Sequence, residues 1–534
     1  MEIIVNPHGA TTFQRSLSTV TPSSKMTDLR KKTGTDGMQT ELFLWGVSTS
    51  TYQHEGGFNG EGHPQNNWGD WERSGRVEKT GRAVDFWNRY EEDFSLASEL
   101  GLNAFRLGVD WARIQPGIKE GEIPPFCEAA LDHYAEILVS ARRKGLEPLL
   151  TLFHFAHPVW LGLDPWLDET TITQFVKFSV HTVEGLNKAL LAKGAEPLRW
   201  LITINEPNML AINSYLTGFF PSASPHSYRK ALLAYQNMVR AHVLGFRALH
   251  ELYERNPTWG MVRISFNNYA SDLYWLDKLF VDLLAVPSRG ISRKEAPIWL
   301  EHQAEAFEKK LKRARLPLKK RIPYWAGMIF KWWLFRKGRT ILRERLLDPL
   351  LDLVYERPGE QALDFVAIDY YDPFVGNIFR FPRFEEFGIA STTLRGWMVN
   401  SVTSKQWDWP ALPQGLGFFV RTYEEDFPGI PVLIAENGFA RLRLPAWEQS
   451  WRKDRLKRAE YLSRHLEEVM KLRREGSRLM GYFHWSLTDN YEWGSYAPRF
   501  GLYHVDLESA DLTRRPGLAV EVYRKFVGEE RKKA

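Results

Sequence analysis

Short apolar runs alternate with stretches of helical periodicity along most of this chain. Runs that fit buried strands fall at 42–48, 103–109, 147–153, 200–204, 261–266, 365–370, 432–435 and 481–485. Between them, apolar positions recur every three to four residues, for example over 86–100, 129–144, 171–191, 230–253 and 454–474. That recurrence is the signature of amphipathic helices. Eight strands separated by helices predict an α/β chain folded as a closed parallel (β/α)₈ barrel. An open, doubly wound sheet is the rival, but no glycine-rich phosphate loop follows any of the runs. Residues 1–40 are rich in Ser, Thr, Lys and Gly without apolar periodicity and are expected to form a mobile tail. The barrel is expected over 41–530, with one long insertion at about 270–362.

Two of the predicted strands lead into a glutamate. Glu206 sits in Ile204-Asn205-Glu206-Pro207-Asn208, and Glu436 in Ile434-Ala435-Glu436-Asn437-Gly438. Strand C-terminal ends are where such barrels carry their chemistry. A facing pair of carboxyl groups is the working equipment of glycoside hydrolysis: one protonates the leaving oxygen, the other attacks or activates water.

Composition narrows the setting. A chain of 534 residues that is 44% hydrophobic can bury a large core. Its 21 Trp and 20 Tyr suit sugar faces, but a large core uses them too. Cys127 is the sole cysteine, so neither an intramolecular disulfide nor a thiolate metal cluster can form. The opening residues lack a basic segment followed by an apolar core, and no apolar stretch approaches the ~18–20 residues of a membrane span. A cytoplasmic location is the expectation.

A series of motifs adds a family likeness. It runs through Phe43-Leu44-Trp45-Gly46-Val47-Ser48-Thr49-Ser50-Thr51-Tyr52-Gln53, Asn103-Ala104-Phe105-Arg106-Leu107 and Thr151-Leu152-Phe153-His154. The Asn205-Glu206-Pro207, Asp369-Tyr370-Tyr371 and Glu436-Asn437-Gly438 sites follow, and the run Gly481 to Trp493 closes the series. From Leu42 to Val527 the chain resembles glycoside hydrolase family 1, the β-glucosidase family. The resemblance implies a retaining enzyme with Glu436 as nucleophile and Glu206 as acid/base, and with Arg106 and Tyr371 bonded to the nucleophile. It implies a sugar subsite of Gln53, His154, Asn205, Glu492 and Trp493, with Trp485 beneath the ring. Neither metal nor cofactor is implied. A carboxylate at 492 would repel a 6-phosphate, so an unmodified hexoside is expected. Transfer of the sugar to an alcohol or lipid acceptor uses the same covalent intermediate and stays open as an alternative. Several positions depart from the family pattern: Asp369 replaces Asn, Phe155-Ala156 replaces Trp-Asp, His54 replaces an aliphatic residue, and Ala435 replaces Thr.

Within the insertion, 309–345 carries fourteen Lys and Arg against the single acid Glu344, interleaved with Trp325, Trp332 and Trp333. Three readings apply: a solvated helical face, a peripheral membrane contact suited to a glycolipid β-glycoside, or a nucleic-acid surface. The last is not expected, because no reading module accompanies it. The oligomeric state is not fixed by the sequence.

Overall fold

The computed structural model describes residues 42–318, 322–372, 374–375, 407, 409–443, 450–452 and 454–532. The predicted tail at 1–40 lies outside the described residues. Eight parallel strands close on themselves: β1 (Leu44–Ser48), β2 (Ala104–Gly108), β3 (Glu147–Phe153), β4 (Trp200–Asn205), β5 (Arg263–Tyr269), β6 (Val366–Tyr370), β7 (Val432–Gly438) and β8 (Leu479–Trp485). β1 pairs with both β2 and β8, completing the ring. The predicted barrel is therefore observed, each strand lying within three residues of its expected ends.

Helices sheathe the ring, among them α1 (Phe86–Glu99), α2 (Glu128–Arg143), α3 (Thr170–Ala192) and α4 (Pro207–Ala211). They continue with α5 (Tyr228–Arg255), α6 (Lys278–Ala285), α7 (Ala296–Ala314), α8 (Ile322–Arg343) and α9 (Asp348–Tyr355). The last three are α10 (Pro413–Asp426), α11 (Arg458–Arg474) and α12 (Leu518–Arg531). α3 shows why these segments coil. Ile172, Phe175, Phe178, Val183, Leu186 and Leu190 line one buried stripe at helical spacing. Gly194, at φ 72°, takes the left-handed turn just past its C-terminus. No helix among the described residues is long and apolar enough to cross a membrane.

The lumen is plugged by Ala104, Leu149, Trp200, Ile202, Phe365, Ala367, Leu433, Ala435 and Phe483. The alternate positions Val432 and Ile434 face the helices. Simple alternation would turn residue 436 outward as well. Instead β7 carries one extra residue relative to both neighbours. On β6, Ile368 opposes Ile434 while Asp369 opposes Glu436; on β8, Tyr482 opposes Ile434 while His484 opposes Asn437. This bulge turns Glu436 to the lumen above Ala435 and sends Asn437 outward to Tyr461 and Tyr482. β4 gains a residue against β5 between Ile202 and Asn205, which brings Asn205 level with Asn267.

Candidate active site

Each strand end contributes to one buried polar cluster above the lumen plug. Glu206 directly follows β4 and caps α4 with φ 35° and ψ 60°. A residue before proline is driven out of the right-handed helical region, and this left-handed conformation is rare for a non-glycine side chain. It is held by the Glu206 N–H, which donates to the Asn267 carbonyl at 2.9 Å. One turn on, the Asn208 amide donates to the Tyr269 carbonyl at 2.9 Å and accepts from the Tyr269 N–H at 3.3 Å. The acid-bearing turn is thus fastened to β5.

Glu436 receives a donor on each oxygen. The Arg106 guanidinium donates to Oε1, and the Tyr371 hydroxyl donates to Oε2 at 2.7 Å. Burial and the nearby carboxylates hold the Tyr371 phenol well above its usual pKa, so it keeps the proton it donates. Arg106 also donates to Asn205 Oδ1 at 2.6 Å and to Thr151 Oγ1 at 3.1 Å. It is fully buried, so all its charge is spent on this cluster.

One carboxyl oxygen from each of Glu206, Asp369 and Glu436 lies within 4.8 Å of the others. Burial pushes Glu206 well above the ordinary carboxylate range, and the charges of Asp369 and Glu436 push it further. Asp369 is also raised, chiefly by burial and then by Glu436. In the structure the Asn267 side-chain amide donates to Asp369 Oδ2, while Asp369 Oδ1 has no hydrogen-bond partner among the described residues. Asn267 was missed because the predicted strand stopped at 266. The polar run Asn267-Asn268-Tyr269 at a strand's C-terminal end was the available signal.

The remaining predicted residues gather around the same mouth. Gln53 donates to Glu492 at 2.8 Å. Burial, with Glu436 second, raises Glu492 to about 8 against the Gln53 hydrogen bond, and none of the groups acting on it is a cation. The His154 ring stacks between Trp485 at 6.0 Å and Trp493 at 5.7 Å, and burial holds it neutral. His154 Nδ1, Asn205 Nδ2 and Glu206 Oε1 are buried with no hydrogen-bond partner among the described residues. Among the departures, Phe155 packs on Trp493 and Phe220 at 4.9 and 5.4 Å, while His54 meets the Trp485 ring edge-on at 5.6 Å.

A closed (β/α)₈ barrel with a buried cluster of carboxyl groups at its C-terminal mouth has the architecture of a barrel hydrolase. The family model described as Glycosyl hydrolase family 1 matches residues 37–273 and 306–532, and the chain belongs to that family, an O-glycosyl hydrolase of β-glucosidase type. It is 27% identical to Beta-glucosidase A of Thermotoga maritima, over 87% of this chain and 93% of that one. It is 27% identical to 6-phospho-beta-galactosidase 1 of Streptococcus pneumoniae, over 88% of this chain and 94% of the other. Beta-glucosidase 47 of Arabidopsis thaliana is 24% identical, over 92% and 85%. Among solved structures, the fold matches the family 1 β-glucosidase of Thermotoga maritima in complex with isofagomine lactam. That match has a TM-score of 0.63 at 23% identity, over 91% of this chain and 98% of that one.

Proposed function

We propose that this chain hydrolyses unphosphorylated β-hexosides with retention, Glu436 acting as nucleophile and Glu206 as acid/base. The observation that carries this reading is the carboxyl spacing. Oxygens within 4.8 Å suit direct attack on an anomeric carbon held between them. Inverting pairs stand ~6.5–9.5 Å apart to admit a water.

The electrostatics support the same division of labour. Arg106 and Tyr371 offer Glu436 the donors that a carboxylate accepts, while Glu206 is biased towards its acid form. Glu206 protonates the departing oxygen as Glu436 bonds to the sugar. The Glu436 charge is consumed in that bond, so part of the bias on Glu206 disappears and it can accept a proton from the incoming water. His154 Nδ1 and Asn205 Nδ2 are the polar atoms that ring hydroxyls would satisfy. Glu492 offers no positive charge to a 6-phosphate, which favours a free 6-hydroxyl.

The test is mechanism-based trapping. A 2-deoxy-2-fluoro β-glycoside with an activated leaving group should label one site, on the peptide holding Glu436, and aryl β-glucoside or β-galactoside should release nitrophenol. A label on another side chain, or no turnover across a broad aryl β-glycoside panel, would overturn the reading. Product ratios with an added alcohol acceptor separate hydrolysis from transfer.

A further inference from the structure

Helix α8 has one face fixed to the barrel and another that nothing in the catalytic reading explains. On the inner face Leu334, Ile341 and Leu342 are buried. Gly338 lies so close to the Trp275 ring that an added Cβ would stand 1.9 Å from it, so only glycine permits this approach. The Lys331 side chain is only 11% exposed and pairs with Asp272 at 3.3 Å and Glu308 at 3.0 Å. The register of the helix is thereby set.

That register leaves Trp325, Ile329, Trp332 and Trp333 pointing outward, exposed to 57, 68, 60 and 40%. Their spacing of i, i+4, i+7 and i+8 makes them a single stripe. Further along, Arg336 and Lys337 are exposed and lie over the Trp332 and Trp333 rings at 4.9 and 5.9 Å. Exposed Arg343 follows, and Lys309, Lys312, Arg313 and Arg315 are exposed at the C-terminal end of neighbouring α7.

The stripe belongs to the catalytic end of the barrel. Asp272, which anchors Lys331, lies three residues past the end of β5. Trp333 meets the ring of Tyr228, the first residue of α5, and Arg229 pairs with Glu344 at 3.1 Å. α5 begins at the mouth, because it follows the C-terminal end of β4.

We propose that the outer face of α8 docks on an anionic lipid surface, its Trp and Ile side chains entering the headgroup boundary and the flanking Arg and Lys meeting lipid phosphates. A merely solvated helix has no reason to show water three indoles and an isoleucine in one stripe. Trp beside basic residues on a helix too polar to span is the composition of an interfacial element. The charge also argues against a second copy, since a two-fold contact would set two basic patches face to face. Docking at this end turns the active-site mouth towards the bilayer.

Vesicle flotation of the full chain tests this without relying on turnover. The chain should float with phosphatidylcholine vesicles containing roughly a third phosphatidylglycerol, stay behind with pure phosphatidylcholine, and be released near ~0.5 M NaCl. Trp325→Ser with Trp332→Ser, and separately Arg336→Glu with Lys337→Glu, should each cut the bound fraction about tenfold while thermal unfolding stays as in the parent. Absence of binding to anionic vesicles, or binding indifferent to both pairs, would overturn the proposal. So would a dimer in sedimentation that the tryptophan pair alone makes monomeric, since the stripe would then join two copies.

Discussion

Glu206 and Asp369 bring buried carboxyl oxygens within 4.8 Å of each other, a proximity that favours a proton on one of the two. Asn267 donates to Asp369 Oδ2, which favours Asp369 as the ionised member of the pair and Glu206 as the holder of the proton. An aspartate thus works here as an electrostatic brace on Glu206, at a position where the family pattern has an uncharged amide.

Replacing Asp369 by Asn removes that brace. Glu206 then loses a nearby charge that raises its pKa, and the alkaline limb of kcat/KM should move to lower pH. The measurement is a pH profile on an aryl β-glycoside. An unmoved alkaline limb in a folded, active variant would mean that Glu206 does not feel Asp369.

Arg106 is predicted to be far more than an ion-pair partner. Its planar fork reaches Glu436 with one nitrogen and Asn205 with the other, a geometry that lysine cannot reproduce. Arg106→Lys should lower kcat/KM by roughly 10²–10³, and Tyr371→Phe, which deletes one neutral donor, by roughly 10-fold. Steady-state kinetics decide. Equal and small losses would reduce both residues to packing.

Much of this site was legible because it is carried by short local patterns. A glutamate between asparagine and proline at a strand end shows itself in any register, and so did the eight apolar runs. What stayed hidden depends on how strands meet. The extra residue that turns Glu436 to the lumen is defined by β6 and β8, which lie far away in sequence. Asn267 matters because β4 slips by one residue beside it. The same holds in the basic insertion. Its mixture of Trp, Lys and Arg has no obvious apolar side until Trp275 and Asp272 select the face that turns inward.

Glu492 supplies a test of substrate class. With its pKa near 8, it passes from neutral acid to anion as pH rises through about 8. The anion is the stronger acceptor for a free 6-hydroxyl, so KM should fall across that range. Glu492→Gln keeps the polar contact without the titration and should flatten KM across that range. Comparing a β-glycoside with its 6-phosphate above about pH 8, where Glu492 is an anion, then isolates the phosphate: efficient turnover of the phosphorylated form by the parent would refute the assignment to unmodified sugars.

The same buried acids govern stability against pH. Burial raises Asp277 to about 7 despite donors from Ser271 and Lys278, and raises Glu492 to about 8. Folded pKa values above the unfolded ones mean that the native state holds extra protons. Its stability is therefore fully present below the ordinary carboxylate range and drains away as pH rises through about 7 and 8. Asp489 works the other way. Burial opposes its ionisation, but His504, Arg499 and Arg458 outweigh burial and pull its pKa below the usual value. Its contribution is lost only under more acidic conditions, outside the window set by the raised pair. Below about pH 6.5 the buried neutral His54, His157, His242 and His484 act in the opposite sense. The urea midpoint should therefore fall between about pH 7 and 8.5, and Asp277→Asn should remove a share of that slope. A midpoint that rises over this interval would show that neither acid keeps its proton in the folded chain.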